Sequence, residues 1–160
     1  MPTLNRIRFA RARPRDAAAM RALAEAAYRH YVPRIGRPPA PMTADYVAIA
    51  ARPHVTLAWR DDELVGMLVL ELRGDEAQIE NVAVSPALQG SGLGSELLRR
   101  AEAEARAAGC VVARLYTNER MTENLAFYPR RGYVETGRRE DAGFRRVFFE
   151  KPLTNPGAEQ

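Results

Sequence analysis

The chain has 160 residues, 46% of them apolar, with 24 Lys and Arg against 20 Asp and Glu and a net charge of +4. This suits one domain with a real core, and no run approaches the ~20 consecutive apolar residues that a membrane-spanning helix needs. The basic residues are almost all arginine, scattered among acids as in "RRAEAEAR", with no basic stripe interleaved by aromatics, so nucleic-acid binding is not expected.

The N-terminal "MPTLNRIRFARARPRD" is basic without an apolar core and does not read as a secretory signal. Within it, "RIRFARA" (6–12) alternates apolar and charged residues as a strand does. Pro14 and Asp16 then suggest a helix start with Asp16 as N-cap. Met20, Leu23, Ala24, Ala27, Tyr28 and Tyr31 fall on one face of that helix. "VPRIGRPPAPM" (32–42) holds four prolines and a glycine and is expected to be a stiff loop. "TADYVAIAA" (43–51) reads as a short helix capped by Thr43, with Tyr46, Val47 and Ile49 packing inward. "HVTLAWR" (54–60), "ELVGMLVLEL" (63–72) and "EAQIENVAVS" (76–85) are strand-like, and their short connections predict an antiparallel meander.

A long amphipathic helix is expected over 92–108, with Leu93, Leu97, Leu98, Ala101 and Ala105 on one side and Gly109 ending it. "CVVARLYT" (110–117) is the next strand, parallel to 76–85 through a right-handed crossover. Cys110, the one cysteine, sits in an apolar run as a small buried hydrophobe, and the absence of disulfide partners points to a reducing cytoplasm. "MTENLAFYPRRG" (121–132) predicts a short helix that Pro129 cuts off, and 133–139 with 143–151 a closing hairpin. The whole is an α/β (α+β) fold: a single mixed, mostly antiparallel sheet of six to seven strands flanked by about four helices, in one domain over 1–151, with a frayed tail over 152–160.

The most informative stretch is "VAVSPALQGSGLGSELLRR" (82–100), where a strand passes through a glycine-rich turn into the long helix. Free amides and a partial positive charge at a helix start attract phosphate, and glycines let it come close. On spacing alone a plain turn needing positive φ is the slightly better reading. A P-loop is excluded because the turn has no lysine. The dinucleotide fingerprint fits poorly, since Ser95 stands where its last glycine belongs and "SPALQ" separates strand from glycines.

"QGSGLG" (89–94) after "NVAV" and before a long helix resembles the acetyl-CoA-binding motif of the GNAT superfamily of N-acetyltransferases. "NLAFYPRRGYVETG" (124–137) resembles that family's downstream motif, and the element order over 6–151 is similar to its fold. The resemblance implies an enzyme that moves an acetyl group from acetyl-CoA to a primary amine of a small molecule, peptide or protein. The alternative is a non-catalytic acyl-CoA-binding or sensing domain on the same fold. It implies that Gln89, Gly90, Ser91, Gly92, Leu93 and Gly94 hold the pyrophosphate. The backbone of Val82, Ala83 and Val84 pairs with the pantetheine arm where the parallel strands splay, the Val82 amide faces the thioester carbonyl, and Phe127 lies beside the arm. The resemblance further implies that Tyr128 protonates the departing thiolate. Where many members carry an Asn seven residues before that Tyr, this chain has Met121; Asn124 or Asn118 can supply the contact, and Asn124 is preferred for sharing a helix face with Tyr128.

Attack on a thioester needs a neutral amine, and Glu80, an acid in mid-strand, is the candidate base. The alternative is a solvent-facing or arginine-paired Glu80. Tyr31, Ile35 and Met42 are the candidates for the acceptor pocket. No metal is expected, since His30 and His54 lack ligand spacing. A homodimer, common among similar proteins, is compatible with all of this.

Overall fold

The structure, a computed structural model, describes residues 4–153. Its strands are β1 (Ile7–Arg11), β2 (Val55–Arg60), β3 (Glu63–Arg73), β4 (Glu76–Val84), β5 (Val112–Asn118), β6 (Val134–Asp141) and β7 (Phe144–Pro152). They form one sheet in the order β1-β2-β3-β4-β5-β7-β6. The helices are α1 (Ala17–Tyr28), α2 (Val32–Ile35), α3 (Ala40–Thr43), α4 (Tyr46–Ala50), α5 (Leu93–Ala107) and α6 (Thr122–Phe127). All strand pairings with a stated register are antiparallel except that of β4 with β5. That parallel ladder runs only from Glu76–Gln78 to Val112–Arg114, while β4 continues to Val84 and β5 to Asn118.

By packing, the chain divides into two units, residues 4–70 with 81–101 and residues 71–80 with 102–153. In the first, Met20, Leu23, Ala24 and Ala27 of α1 and Tyr46 of α4 form a core with Val55, Leu57, Met67, Val69 and Ala83 of the strands. Each fully buried side chain of this size contributes about 1.5–3 kcal/mol. Leu93, Leu97 and Leu98 of α5 are buried as their spacing predicts. Their close approach depends on Gly66, which pairs with Ala58 beside a bulge. A Cβ at Gly66 would stand 3.1 Å from Leu93 Cδ2 and 3.2 Å from Leu97 Cδ1.

In the second unit, Ala113 and Leu115 of β5 are buried, as are Val147 and Phe149 of β7. α5 ends in a Schellman motif: the Cys110 amide donates to Ala105 and the Gly109 amide to Arg106, with Gly109 at φ +87°. Cys110 is buried. The closing hairpin turns through Ala142 and Gly143, both at positive φ. Strand β7 runs through Pro152, and the buried Leu153 donates its amide to Val111, so the part of the expected frayed tail at 152–153 is ordered; 154–160 lies outside the described residues.

Several expectations are corrected. Residues 32–42 are not a plain loop, because Pro33 and Pro41 occupy first-turn positions of α2 and α3, where a missing amide costs no helical hydrogen bond. Thr43 closes α3, and the N-cap of α4 is Asp45, whose carboxylate accepts from the Ala48 amide at 3.2 Å. Val47 faces solvent. Asp16 holds the N-cap position of α1 as expected, but its carboxylate makes no cap hydrogen bond and instead accepts from the Arg13 amide at 2.8 Å. Among the described residues no helix is long and apolar enough to cross a membrane.

Candidate active site

Strand β4 alternates strictly: Ala77, Ile79, Asn81 and Ala83 are buried, and Gln78, Glu80, Val82 and Val84 are half-buried. Glu80 therefore shares a face with Val82 and Val84, and its charge reaches the Arg73 guanidinium. The Ala83 side chain belongs to the core, so any role it has toward a ligand falls to its backbone.

After β4 the chain makes a 3-10 turn over Pro86–Leu88 and enters α5 at Leu93. Between them the odd-numbered amides are used to fold the turn. Gln89 donates to Pro86 at 3.4 Å, Ser91 to Leu88 at 3.1 Å, and Leu93 to the Ser91 hydroxyl at 3.3 Å. Among the described residues the amides of Gly90, Gly92 and Gly94 donate to no protein group. Gly90 and Gly92 have φ of +81° and +91°, and the space where their Cβ atoms would sit is open. Gly94 lies in the first turn of α5, before the first i→i−4 bond, from Glu96 to Gly92, completes the ladder. Three unengaged amides at the positive end of a 15-residue helix suit an anion with several oxygens, such as a pyrophosphate. Leu93 is wholly buried and its amide is taken by Ser91, so of the residues expected in the cradle it contributes least.

The other face of β4 is tied to the helices by a polar network that sequence reading missed. Tyr28 donates its hydroxyl to Asn81 Oδ1 at 2.5 Å and stands 3.3 Å from the Val82 carbonyl. Asn81 Nδ2 donates to the Tyr46 hydroxyl, which donates to the Pro41 carbonyl. α1, α3 and α4 are thereby pinned to β4 beside Val82. Burial pushes the Tyr46 hydroxyl up to about 12, against the opposing pull of its Asn81 hydrogen bond. Tyr31 is buried, with the His30 ring at 3.8 Å and the Arg34 guanidinium 5.2 Å above its own ring; Ile35 and Met42 are half-buried.

In the second unit α6 ends at Phe127 and Pro129 starts a 3-10 turn, as expected. Tyr128 sits at that junction with its ring edge-on to Phe127 at 5.2 Å and to Tyr133 at 5.8 Å, and 5.9 Å from Phe149. Its hydroxyl takes no hydrogen bond among the described residues. Burial raises it to about 12, the nearby Arg131 charge opposing. It is thus a protonated donor without a partner among the described residues. Asn124 donates its amide to Thr117 Oγ1 at 3.0 Å, while its Oδ1 is unengaged among the described residues. Met121 is buried against Thr117 and Asn124, and Asn118 accepts from the Arg120 amide at 2.9 Å. Arg131 covers the Phe127 ring at 3.6 Å. Among the described residues no three His, Cys, Asp or Glu side chains cluster as metal ligands do.

Sequence reading also missed Glu102, a buried acid on α5 joined to Lys151 and Tyr133. Its signal was faint: one more Glu among "AEAEA". Asn81 had a clearer one, since Asn is rare in mid-strand.

Known proteins match this arrangement. Aminoalkylphosphonate N-acetyltransferase of Salmonella typhimurium is 36% identical over 89 residues, 52% of this chain and 58% of that protein. IAA acetyltransferase of Azospirillum brasilense is 31% identical over 90 residues, 55% of this chain and 59% of that protein. The chain thus spans under 60% of the length of either of these curated relatives. The crystal structure of PaiA N-acetyltransferase from Thermoplasma acidophilum, in complex with coenzyme A, shares the fold with a TM-score of 0.77 at 16% identity, over 91% of this chain and 98% of that one. The sequence pattern of the acetyltransferase (GNAT) family matches residues 17–133, a span that takes in α1, the glycine turn and Tyr128. Extending over more than half the chain, that match places the chain in the acetyltransferase (GNAT) family.

Proposed function

We propose that this protein transfers an acetyl group from acetyl-CoA to a primary amine by direct attack within a ternary complex. The observation that carries the reading is the row of three glycine amides, at positions 90, 92 and 94, left without acceptors among the described residues at the start of α5. In this reading Gly90, Gly92 and Gly94 donate to the pyrophosphate, and Gln89 and Ser91 shape the turn. The backbone of Val82 and Val84 pairs with the pantetheine arm, and Asn124 Oδ1 accepts from one of the arm's amides. Acetyl-CoA supplies the activated acyl group as a thioester.

Glu80 takes the proton that the attacking ammonium must lose. The amine nitrogen then bonds to the acyl carbon, and the Val82 amide donates to the oxyanion that develops there. As the C–S bond breaks, the sulfur takes a proton from Tyr128, and the nitrogen gives up its second proton, which restores the Tyr128 hydroxyl, leaving a neutral amide and free CoA. The raised pKa of Tyr128 supports this role, because the group reaches the reaction with its proton in place.

Tyr31, Ile35 and Met42 border the acceptor. Residues 26–44 carry Arg29, His30, Arg34 and Arg37 and no acid, which favours amines that also bear an anionic group. The named activity of the Salmonella typhimurium relative, on an aminoalkylphosphonate, is of that kind. The test is transfer from labelled acetyl-CoA across a panel of aminoalkylphosphonates, amino acids, polyamines and peptide N-termini, read as thiol release and labelled amide. Amine-dependent release supports the reading. Saturable acetyl-CoA binding without transfer to any amine would replace it with a binding or sensing domain.

A further inference from the structure

Glu102 is 5% exposed on α5, on a helix face otherwise filled by alanines and leucines. A buried carboxylate is costly unless paired, and a buried ion pair gives little net stability over apolar residues of the same size. Its presence there therefore calls for another explanation. Both its oxygens are engaged: Lys151 Nζ donates to Oε1 at 2.8 Å and the Tyr133 hydroxyl donates to Oε2 at 2.9 Å, with Arg106 3.8 Å from Oε1. Lys151 is the only lysine in the chain.

Tyr133 carries the effect onward. Its ring meets Tyr128 edge-on at 5.8 Å and 71°, and its amide donates to the Tyr128 carbonyl at 3.2 Å. Lys151 braces the same turn from the other side. Its Cε lies 3.2 Å from where a Cβ at Gly132 would sit, and Gly132 holds a φ of +92°. Among the described residues the Tyr128 hydroxyl has no hydrogen-bond partner to aim it, so its direction is set by the rings that enclose it. Burial and the Glu102 charge both hold the proton on Tyr133, which keeps its hydroxyl a donor to Glu102.

We propose that Glu102 and Lys151 are positioning residues that act through Tyr133 to fix the direction of the Tyr128 hydroxyl. This rests on the reading of Tyr128 as the acid. The test is a double-mutant cycle on the full chain. Tyr133→Phe keeps the ring and cuts its link to Glu102, and Glu102→Leu with Lys151→Met removes both charges together. Thermal melts accompany each variant to show that it is folded.

The expected result is a fall in kcat for thiol release of about tenfold or more, as for a misaimed catalytic group, with KM for acetyl-CoA within about twofold of wild type. In a Tyr128→Phe background the same changes have no further effect on kcat. Equal fold losses in both backgrounds, or an unchanged kcat in folded Tyr133→Phe, overturns the proposal while leaving the acid in place. An unchanged kcat in Tyr128→Phe itself removes the acid and the positioning role together. If the double replacement does not fold, Tyr133→Phe alone decides, since it leaves the ion pair intact.

Discussion

Tyr128 keeps its proton because burial disfavours the phenolate, and the Arg131 charge only partly offsets this. For its proposed role as the acid that protonates the departing thiolate, this sets an observable sign. A group with pKa near 12 stays protonated through neutral and mildly alkaline pH, so kcat shows no alkaline loss from Tyr128 below about pH 10. Tyr128→Phe lowers kcat by about 100-fold or more with KM for acetyl-CoA little changed, read by initial-rate thiol release. The turn that carries Tyr128 was legible in the sequence because the helix and the Pro129 that frame it are its neighbours in the chain. Asn81 and Glu102 were not, since their partners Tyr28, Tyr46, Tyr133 and Lys151 lie 31 to 53 residues away and meet them only in the fold. Asn81→Ala removes the hydrogen bonds from Tyr28 and to Tyr46, whose hydroxyls keep the Val82 and Pro41 carbonyls, and costs about 1–3 kcal/mol for the two bonds, measurable by thermal or denaturant unfolding.

At the scale of elements, the glycine turn separates folding from binding. Gly92 holds a φ of +91°, so Gly92→Ala costs about 1–2 kcal/mol before any ligand is present. Gly94 sits within α5, where alanine is preferred over glycine by up to ~1 kcal/mol. Gly94→Ala should leave the melting temperature unchanged or higher, yet weaken CoA binding by placing a methyl group at the cradle. Opposite signs in stability with the same sign in affinity distinguish the two glycines, and a melt with a calorimetric titration of each variant reads both. Gly66→Val drives side-chain atoms into Leu93 and Leu97 and costs about 1–3 kcal/mol, displacing the start of α5. The meander and α5 were legible because their periodicities are long and unbroken. The segment 32–42 was not: its four prolines argue against a long helix, but two of them fit the first turns of very short ones.

At the scale of the whole molecule, the buried tyrosines set an alkaline limit. Tyr46 and Tyr128 are raised from 10.0 to about 12, so the folded state holds these protons more tightly than the unfolded chain. Stability from this source is full below about pH 10 and is lost as pH rises through 12, by about 2–3 kcal/mol for each group. Denaturation midpoints taken from pH 8 to pH 11.5 should fall only above 10. Sheet class, strand number and the parallel pair were legible from element order, because short connections dictate antiparallel neighbours and the long helix dictates a crossover. The polar networks that hold the site were not, because apolar periodicity carries no record of them.

The account stands on the glycine amides as a CoA cradle, and calorimetric titration of CoA into wild type and Gly92→Val tests it most directly. The predicted result is saturable one-to-one binding to wild type that is lost or much weakened in a folded Gly92→Val. No binding of CoA, with saturable binding of NAD or ATP, would contradict it.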